Sequence, residues 1–356
     1  MTTTNILGTS RSAFFIILSA ILIQVKPIQA QSADGRDTIH PVQISFVPGL
    51  SILGNESAQA VSRFSLNIIG GYTGGVAGLE LGGVFNINRS DVRNVQLAGV
   101  FNRVGNTLYG VQAAGVINQI ASSMSGIQLA GAANQAGEVH GAQFAGVVNV
   151  ARSVQGAQFA GVVNIARGET GSQIAGVVNV GKNVKGVQLA GLLNIADSSD
   201  YPIGLINLVR NGQKSMAVEV DETGTASLVF RSGGRVLYGV LGIGYRFGND
   251  GYNYALEGGL GARLIHKNRF SLNVEAVQRT TTDFDTYTHM ASLKILPAFR
   301  LGNHVEIFGG PTANVSYADD DVVSMDAPGW VWYRHRGDHD VRSMHGGLMG
   351  GIRYVW

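Results

Sequence analysis

The residues best suited to chemistry lie near the C-terminus. Between Asp319 and His345 the chain carries Asp319, Asp320, Asp321, His335, Asp338, His339, Asp340 and His345, with Trp330 and Trp332 close by. Imidazole nitrogens and carboxylate oxygens are ligands for zinc and for harder cations. His335 and His339 would share a face only on a helix, and Pro328-Gly329 in a polar stretch reads as a loop. A partial ligand set on a solvated loop is a weak signal, so no metal and no other cofactor is assigned. Glu219, Asp221 and Glu222 stand too close to an expected turn to work as a catalytic pair. No Gly-x-Ser-x-Gly elbow, no phosphate-binding glycine loop ahead of a helix and no Ser, His and Asp constellation is present. These observations point away from an enzyme.

A larger polar set is built from amides. Gln96, Gln112, Gln128, Gln143, Gln158, Gln173 and Gln188 form one column, with Glu80 in the corresponding place of the first unit. Six residues after each comes an asparagine, giving Asn86, Asn102, Asn118, Asn134, Asn149, Asn164, Asn179 and Asn194, spaced by 16 three times and then by 15. A degenerate last unit, Ile203-Gly-Leu-Ile-Asn207, closes the series. Such columns are either a polar lining for sugar or ion contact, or internal ladders in which buried amides satisfy one another.

The elements that carry these columns alternate with period two and are strands. In one unit Gln143, Ala145, Val147 and Asn149 fall on one face, and Ala142, Phe144, Gly146, Val148 and Val150 on the other. Charge is confined to the connectors, among them Arg89, Asp91, Arg93, Glu138, Arg152, Arg167, Glu169, Lys182 and Lys185. Two architectures fit. In a β-solenoid each unit is one coil and identical side chains stack in register. In a wide membrane barrel each unit is one transmembrane strand, and the Gln and Asn faces line a pore. The charge-free Gln-to-Asn windows favour the barrel. Single-unit repetition favours the solenoid, because consecutive barrel strands run in opposite directions.

The flanks differ in character. Beyond Arg210 the chain turns aromatic, with expected strands at 226–231, 236–247, 252–265, 270–279, 289–300, 305–317 and 345–356, several long enough to cross a bilayer when tilted. Tyr238 at one end of a strand, with Tyr245 and Phe247 at the other, suits aromatic belts. Turns at 247–252 and 266–268 read as short and the link 280–288 as long, the alternation of periplasmic turns and extracellular loops. Upstream, 42–53 and 64–72 read as two more strands, which would close the barrel against the C-terminal strand. The chain ends Gly351-Ile-Arg-Tyr354-Val-Trp356. This ending resembles the C-terminal strand of outer-membrane β-barrel proteins, and the resemblance implies recognition by the barrel-assembly machinery through Gly351, Tyr354 and Trp356. The GxQxAGxxN array over about 78–210 resembles bacterial surface-repeat proteins, which implies a cell-surface location without a defined activity.

Composition agrees with an exported β protein. Of 356 residues 50 are glycine, against an average of ~7%, only 14% are charged, and the glycines follow no Gly-X-Y triplet. A net charge of +2 gives no general attraction to nucleic acid. The absence of cysteine excludes disulfides, thiolate metal sites, cysteine nucleophiles and a lipid-modified N-terminal cysteine. Ala13 to Ile23 is an apolar run too short for a membrane helix, with Arg11 ahead and small residues near Ala30 behind, as in a secretory signal peptide.

The expected organisation is therefore a signal peptide at 1–30, N-terminal barrel strands at 41–73, an inserted Gly/Asn-rich β-repeat at 78–210, and C-terminal barrel strands at 211–356. The expected class is all-β, an outer-membrane-type antiparallel barrel with a solenoid-like insertion. The expected role is a non-enzymatic outer-membrane surface protein that contacts membrane lipid and a surface ligand, with an outer-membrane pore as the alternative.

Overall fold

The computed structural model describes residues 39–247, 253–284, 287–319, 329–336 and 340–356. The signal-peptide segment lies outside them. The described chain is all-β and consists of a β-solenoid of about 10 turns over 61–209, followed by a closed eight-stranded antiparallel barrel.

Each solenoid coil carries a glutamine strand and an asparagine strand, and each pairs in parallel with its counterpart one coil away. Gln128 faces Gln143, which faces Gln158, while Asn134 faces Asn149, which faces Asn164. Stacking at one coil per repeat puts chemically identical residues about 4.8 Å apart, so a side chain that can bond to its own kind does so along the whole array. A glycine column makes the close approach possible. Gly126, Gly141 and Gly156 have φ of 142, 137 and 134°, and a Cβ at any of them would lie within about 2 Å of the carbonyl oxygen of the glycine one coil earlier. Inside the coils, Leu108, Met124, Val139 and Val154 stack as an apolar row beneath the connectors.

The repeats are thus solenoid coils and not barrel strands, and the Gln and Asn faces line no lumen. The expected strands at 42–53 and 64–72 are corrected as well. The strand Ile39–Val47 pairs in parallel with Val61–Asn67, which pairs in parallel with Gly75–Gly82, so these segments are the first coils of the array. Ser65 occupies the glutamine position there and pairs with Glu80. The solenoid therefore precedes the barrel and is not inserted into it.

The barrel is made of β1 (Gln213–Asp221), β2 (Thr225–Gly233), β3 (Leu237–Arg246), β4 (Tyr254–Lys267), β5 (Phe270–Thr282), β6 (Tyr287–Leu301), β7 (Val305–Asp319) and, after the extra strand β8 (Trp330–Arg336), the last wall strand β9 (Asp340–Val355). β1 pairs with β9 from Ser215–Val355 to Asp221–Met349, which closes the wall. β8 pairs with β9 beyond the point where β1 ends. The chain turns tightly at one end of the barrel, through 234–236, 268–269 and 302–304, and the start of β1 and Trp356 lie at that same end. The tight turn 222–224 and the connections at 247–253, 283–286 and 320–329 are at the other end. The turn at 247–252 thus shares its end with the link expected at 280–288, which the flanking strands shorten to 283–286, and not with 266–268, because successive hairpins of an antiparallel barrel alternate ends.

Candidate functional site

The amide columns form two continuous ladders. Asn149 Nδ2 donates to Asn164 Oδ1 at 2.9 Å and Asn164 Nδ2 to Asn179 Oδ1 at 3.0 Å. The chain of donors runs from Asn67 through Asn86, Asn102, Asn118 and Asn134 to Asn194 and Asn207. From Asn86 to Asn194 each of these amides also donates to a backbone carbonyl of the next coil, as Asn149 Nδ2 does to Phe159 O at 2.7 Å. The glutamine ladder runs the opposite way. Gln158 Nε2 donates to Gln143 Oε1 at 2.9 Å and Gln143 Nε2 to Gln128 Oε1 at 2.7 Å. All of these side chains are fully buried. A buried amide must satisfy both ends, and within the ladders each does, the starting oxygens Asn67 Oδ1 and Gln188 Oε1 alone having no partner among the described residues; running in opposite directions, the two ladders oppose their dipoles.

A ladder of donors needs a terminal acceptor, and the molecule supplies one for each. At the N-terminal end Gln96 Nε2 donates to Glu80 Oε2 at 2.8 Å, and Glu80 Oε1 accepts from Ser65 and Asn67. At the other end the last asparagine, Asn207, donates Nδ2 to Ser232 O at 3.1 Å and its backbone N–H to Ser232 Oγ at 2.9 Å. Ser232 belongs to β2, so the barrel wall caps the solenoid.

Glu80 carries a testable cost. Desolvation by burial raises its carboxyl above the ordinary value, and the hydrogen bonds from Gln96, Asn88, Asn67 and Ser65 only partly oppose this. An acid with a raised folded pKa binds its proton more tightly when folded, so stability is fullest below the unfolded value near 4.5 and falls as pH rises through the folded value. Glu80→Gln should abolish this loss. Thermal unfolding of the two proteins at pH 5 and pH 8 should show a pH-dependent drop in the wild type that is smaller in the variant; equal drops would assign the dependence to another group.

The barrel interior holds charged residues that face one another across the lumen. Arg231 on β2 donates Nη2 to Glu219 Oε2 at 2.7 Å and Nε to Glu275 Oε1 at 2.7 Å. Tyr238 Oη donates to Glu275 at 2.8 Å. Lys294 donates to Glu257 at 2.7 Å and to Glu219 at 3.2 Å. Arg279 pairs with Glu257 and with Asp221. A second group joins Arg353 and Arg300 to Glu306. The side chains of the first group are at most 6% exposed, so the lumen at this level is filled by paired ions.

The outer wall is the reverse. Val218, Leu228, Ile243, Leu256, Leu293, Ile295, Ile307 and Ile352 point outward and are exposed. Aromatic side chains flank this band. Tyr245, Tyr254 and Tyr317 lie towards the long connections, and Phe270, Phe299, Tyr354 and Trp356 towards the short turns. Tyr238 is corrected from a belt residue to an interior one.

The C-terminal residues sit in the closing strand. Tyr354 and Trp356 are exposed on the outer wall with ring centroids 6.1 Å apart. Gly351 faces inward, where a Cβ would lie 2.4 Å from Val218 O and 2.9 Å from the Glu219 Cα and Cβ. The described residues of the polar C-terminal stretch do not assemble. His335 is exposed on β8, His345 is buried on β9, and Asp320, Asp321, Asp338 and His339 lie outside the described residues. Among the described residues no group of three or more His, Cys, Asp or Glu side chains is placed to hold a metal. What the sequence reading missed is the interior network, with Glu219 and Asp221 as members. Its signal was present as single charges flanked by apolar residues within strands, as in Val218-Glu219-Val220 and Leu293-Lys294-Ile295.

Comparison with protein-family models, with curated proteins and with solved structures finds no match.

Proposed function

We propose that this is a bacterial outer-membrane protein in which a lipid-embedded barrel anchors a β-solenoid, and that its role is structural or partner-binding and not enzymatic. The inverted polarity of the barrel carries this reading. Buried ion pairs share the interior with an apolar cluster that includes Val229, Val240, Leu296 and Phe308, the exterior is apolar, and aromatic side chains flank that apolar band. A water-soluble barrel has the opposite distribution, whereas a strand crossing lipid must present apolar side chains outward and satisfy its polar ones inside. Every wall strand but β1 and β2 has at least 10 residues, and 9–11 suffice to span a bilayer. On this reading the short-turn end faces the periplasm, the long connections face the cell surface and meet the surface ligand, and Gly351, Tyr354 and Trp356 are presented to the barrel-assembly machinery.

Fractionation of the envelope and gel migration with and without heating test the location. The protein should partition with the outer membrane and migrate differently after boiling; recovery as a soluble periplasmic protein would overturn the reading. The filled lumen also makes a prediction against a pore. Purified protein in planar bilayers should give no steady conductance, because Arg231, Lys294 and Arg279 tie Glu219, Glu257 and Glu275 together across the channel axis. Stable, ion-selective openings would show that this network does not block passage.

A further inference from the structure

The solenoid is amphipathic around its circumference. One edge, at the Gly-Val turn between the two strands of each coil, presents Val84, Val100, Val116, Val147, Val162 and Leu192, all between 38 and 47% exposed. The glutamine strand beside it adds Leu97, Leu129, Phe144, Ile174 and Leu189, also exposed, along a shallow apolar groove of about 650 Å³ in which Phe144 and Phe159 stack at 4.7 Å. The opposite edge carries the connectors and their exposed ion pairs, Arg152 with Glu138 and Lys185 with Glu169. From Val84 to Leu192 the apolar edge extends on the order of 35 Å at ~4.8 Å per coil. Soluble surfaces rarely leave an apolar patch of that extent uncovered.

The junction with the barrel orients this edge. Leu205 ends the column that Leu192 belongs to, and it packs on the outer wall against Gly239 of β3 and Gly258 of β4. On β4, Gly258 lies between the exposed Leu256 and Leu260. The charged edge ends lower down, at the short turn, where Asp200 and Pro202 meet Gly234 and Asp200 lies 3.9 Å from Arg235. The apolar edge thus points up the wall and runs into its apolar band, and the charged edge points to the short-turn end.

We infer that the solenoid lies against the bilayer beside the barrel, on the short-turn side, with its Gly-Val edge and the neighbouring groove in contact with phospholipid acyl chains and its connectors in water. This rests on the reading of the barrel as membrane-spanning. The occupant is lipid because the edge is continuous with the barrel's apolar wall and because the charges lie on the edge away from it. Burying such an edge releases water from its apolar surface, and a neighbouring barrel fixes its height.

The cysteine-free chain permits a direct test. Single substitutions Val147→Cys, Gln155→Cys and Leu293→Cys in the full-length protein, each spin-labelled, are reconstituted into phosphatidylethanolamine and phosphatidylglycerol vesicles, with Val162→Cys as a second edge site. Collision with oxygen relative to a water-soluble nickel chelate should be severalfold higher at Val147, Val162 and Leu293 than at Gln155. A wall label in lipid with both edge labels in water overturns the inference and leaves the membrane-spanning barrel intact. A wall label in water overturns the barrel reading itself. Edge labels shielded from both reagents and broadened by spin–spin coupling would place a second copy on the edge, and a lipid-accessible Gln155 label would reverse the orientation; either result overturns the inference.

Discussion

Asn164→Leu should destabilise the solenoid by about 3–6 kcal/mol. The substitution nearly conserves volume but removes four hydrogen bonds in a fully buried row, the longest of them from Asn164 Nδ2 to Gln158 O at 3.2 Å. Asn149 Nδ2 loses its acceptor at 2.9 Å, Asn179 Oδ1 loses its donor at 3.0 Å, and the carbonyl of Ile174 loses its donor at 2.8 Å. Each buried group left without a partner costs roughly 1–3 kcal/mol, and the low local dielectric inside the coils gives it no water to turn to. Denaturant unfolding of the full-length protein in detergent should show the midpoint of the solenoid transition fall sharply. Adding Asn149→Leu should cost less than a second full increment, because the bond between the two residues is already gone and the leucines can pack on each other. Arg152→Ala in the same coil is the contrast. Its ion pair with Glu138 is exposed on both sides, and pairs of that kind contribute at most ~1 kcal/mol. If Asn164→Leu and Arg152→Ala had equal effects, the ladders would not be what holds the coils together.

A comparable loss is expected inside the barrel from Arg231→Met, about 3–5 kcal/mol. Arg231 is the one cation that bonds both Glu219 and Glu275 in the described network, at 2.7 Å to each. Without it Glu275 keeps only the hydroxyl of Tyr238 at 2.8 Å, and Glu219 keeps Lys294, which it shares with Glu257. Removing one partner of a buried pair leaves an uncompensated charge, and this accounts for the size of the effect. The temperature at which the compact band gives way to the unfolded one on gels should drop clearly. A second change, Glu275→Gln, should recover much of the loss by removing the orphaned charge. Recovery absent in the double variant would mean that the arginine acts through packing, for instance its guanidinium 5.2 Å from the Phe308 ring centre, and not through charge.

The repeat was legible in the sequence because its chemistry and its period coincide: Gln143 and Gln158, or Asn149 and Asn164, can only be neighbours if each unit is one coil. The competing barrel reading drew on the charge-free windows, and those windows are real. They belong to an apolar edge and its flank, with the ions gathered on the connectors. The segments at 42–53 and 64–72 were assigned to the barrel because alternation with period two is common to parallel and antiparallel strands. Without the GxQxAG motif nothing in Phe64-Ser-Leu-Asn67 distinguishes a coil from a hairpin arm, and its place emerges only through Ser65 and Asn67 reaching Glu80. β1 is hard to read in the sequence because Glu219, Asp221 and Glu222 look like the approach to a turn and not like strand residues. Long-range partnerships such as Arg231 with Glu275 could not be read from spacing, since barrel register depends on how several hairpins close together.

The glutamine ladder ends on Glu80, which stands at the glutamine position of the strand Gly75–Gly82, and the asparagine ladder ends on Ser232 in the barrel wall. Everything between them is interchangeable. An in-frame duplication or deletion of a single coil adds or removes one glutamine and one asparagine together and leaves both terminators in place. Copy number is therefore a free variable of this fold, and its length can be adjusted by recombination among near-identical segments, in steps of ~4.8 Å, without redesigning either end.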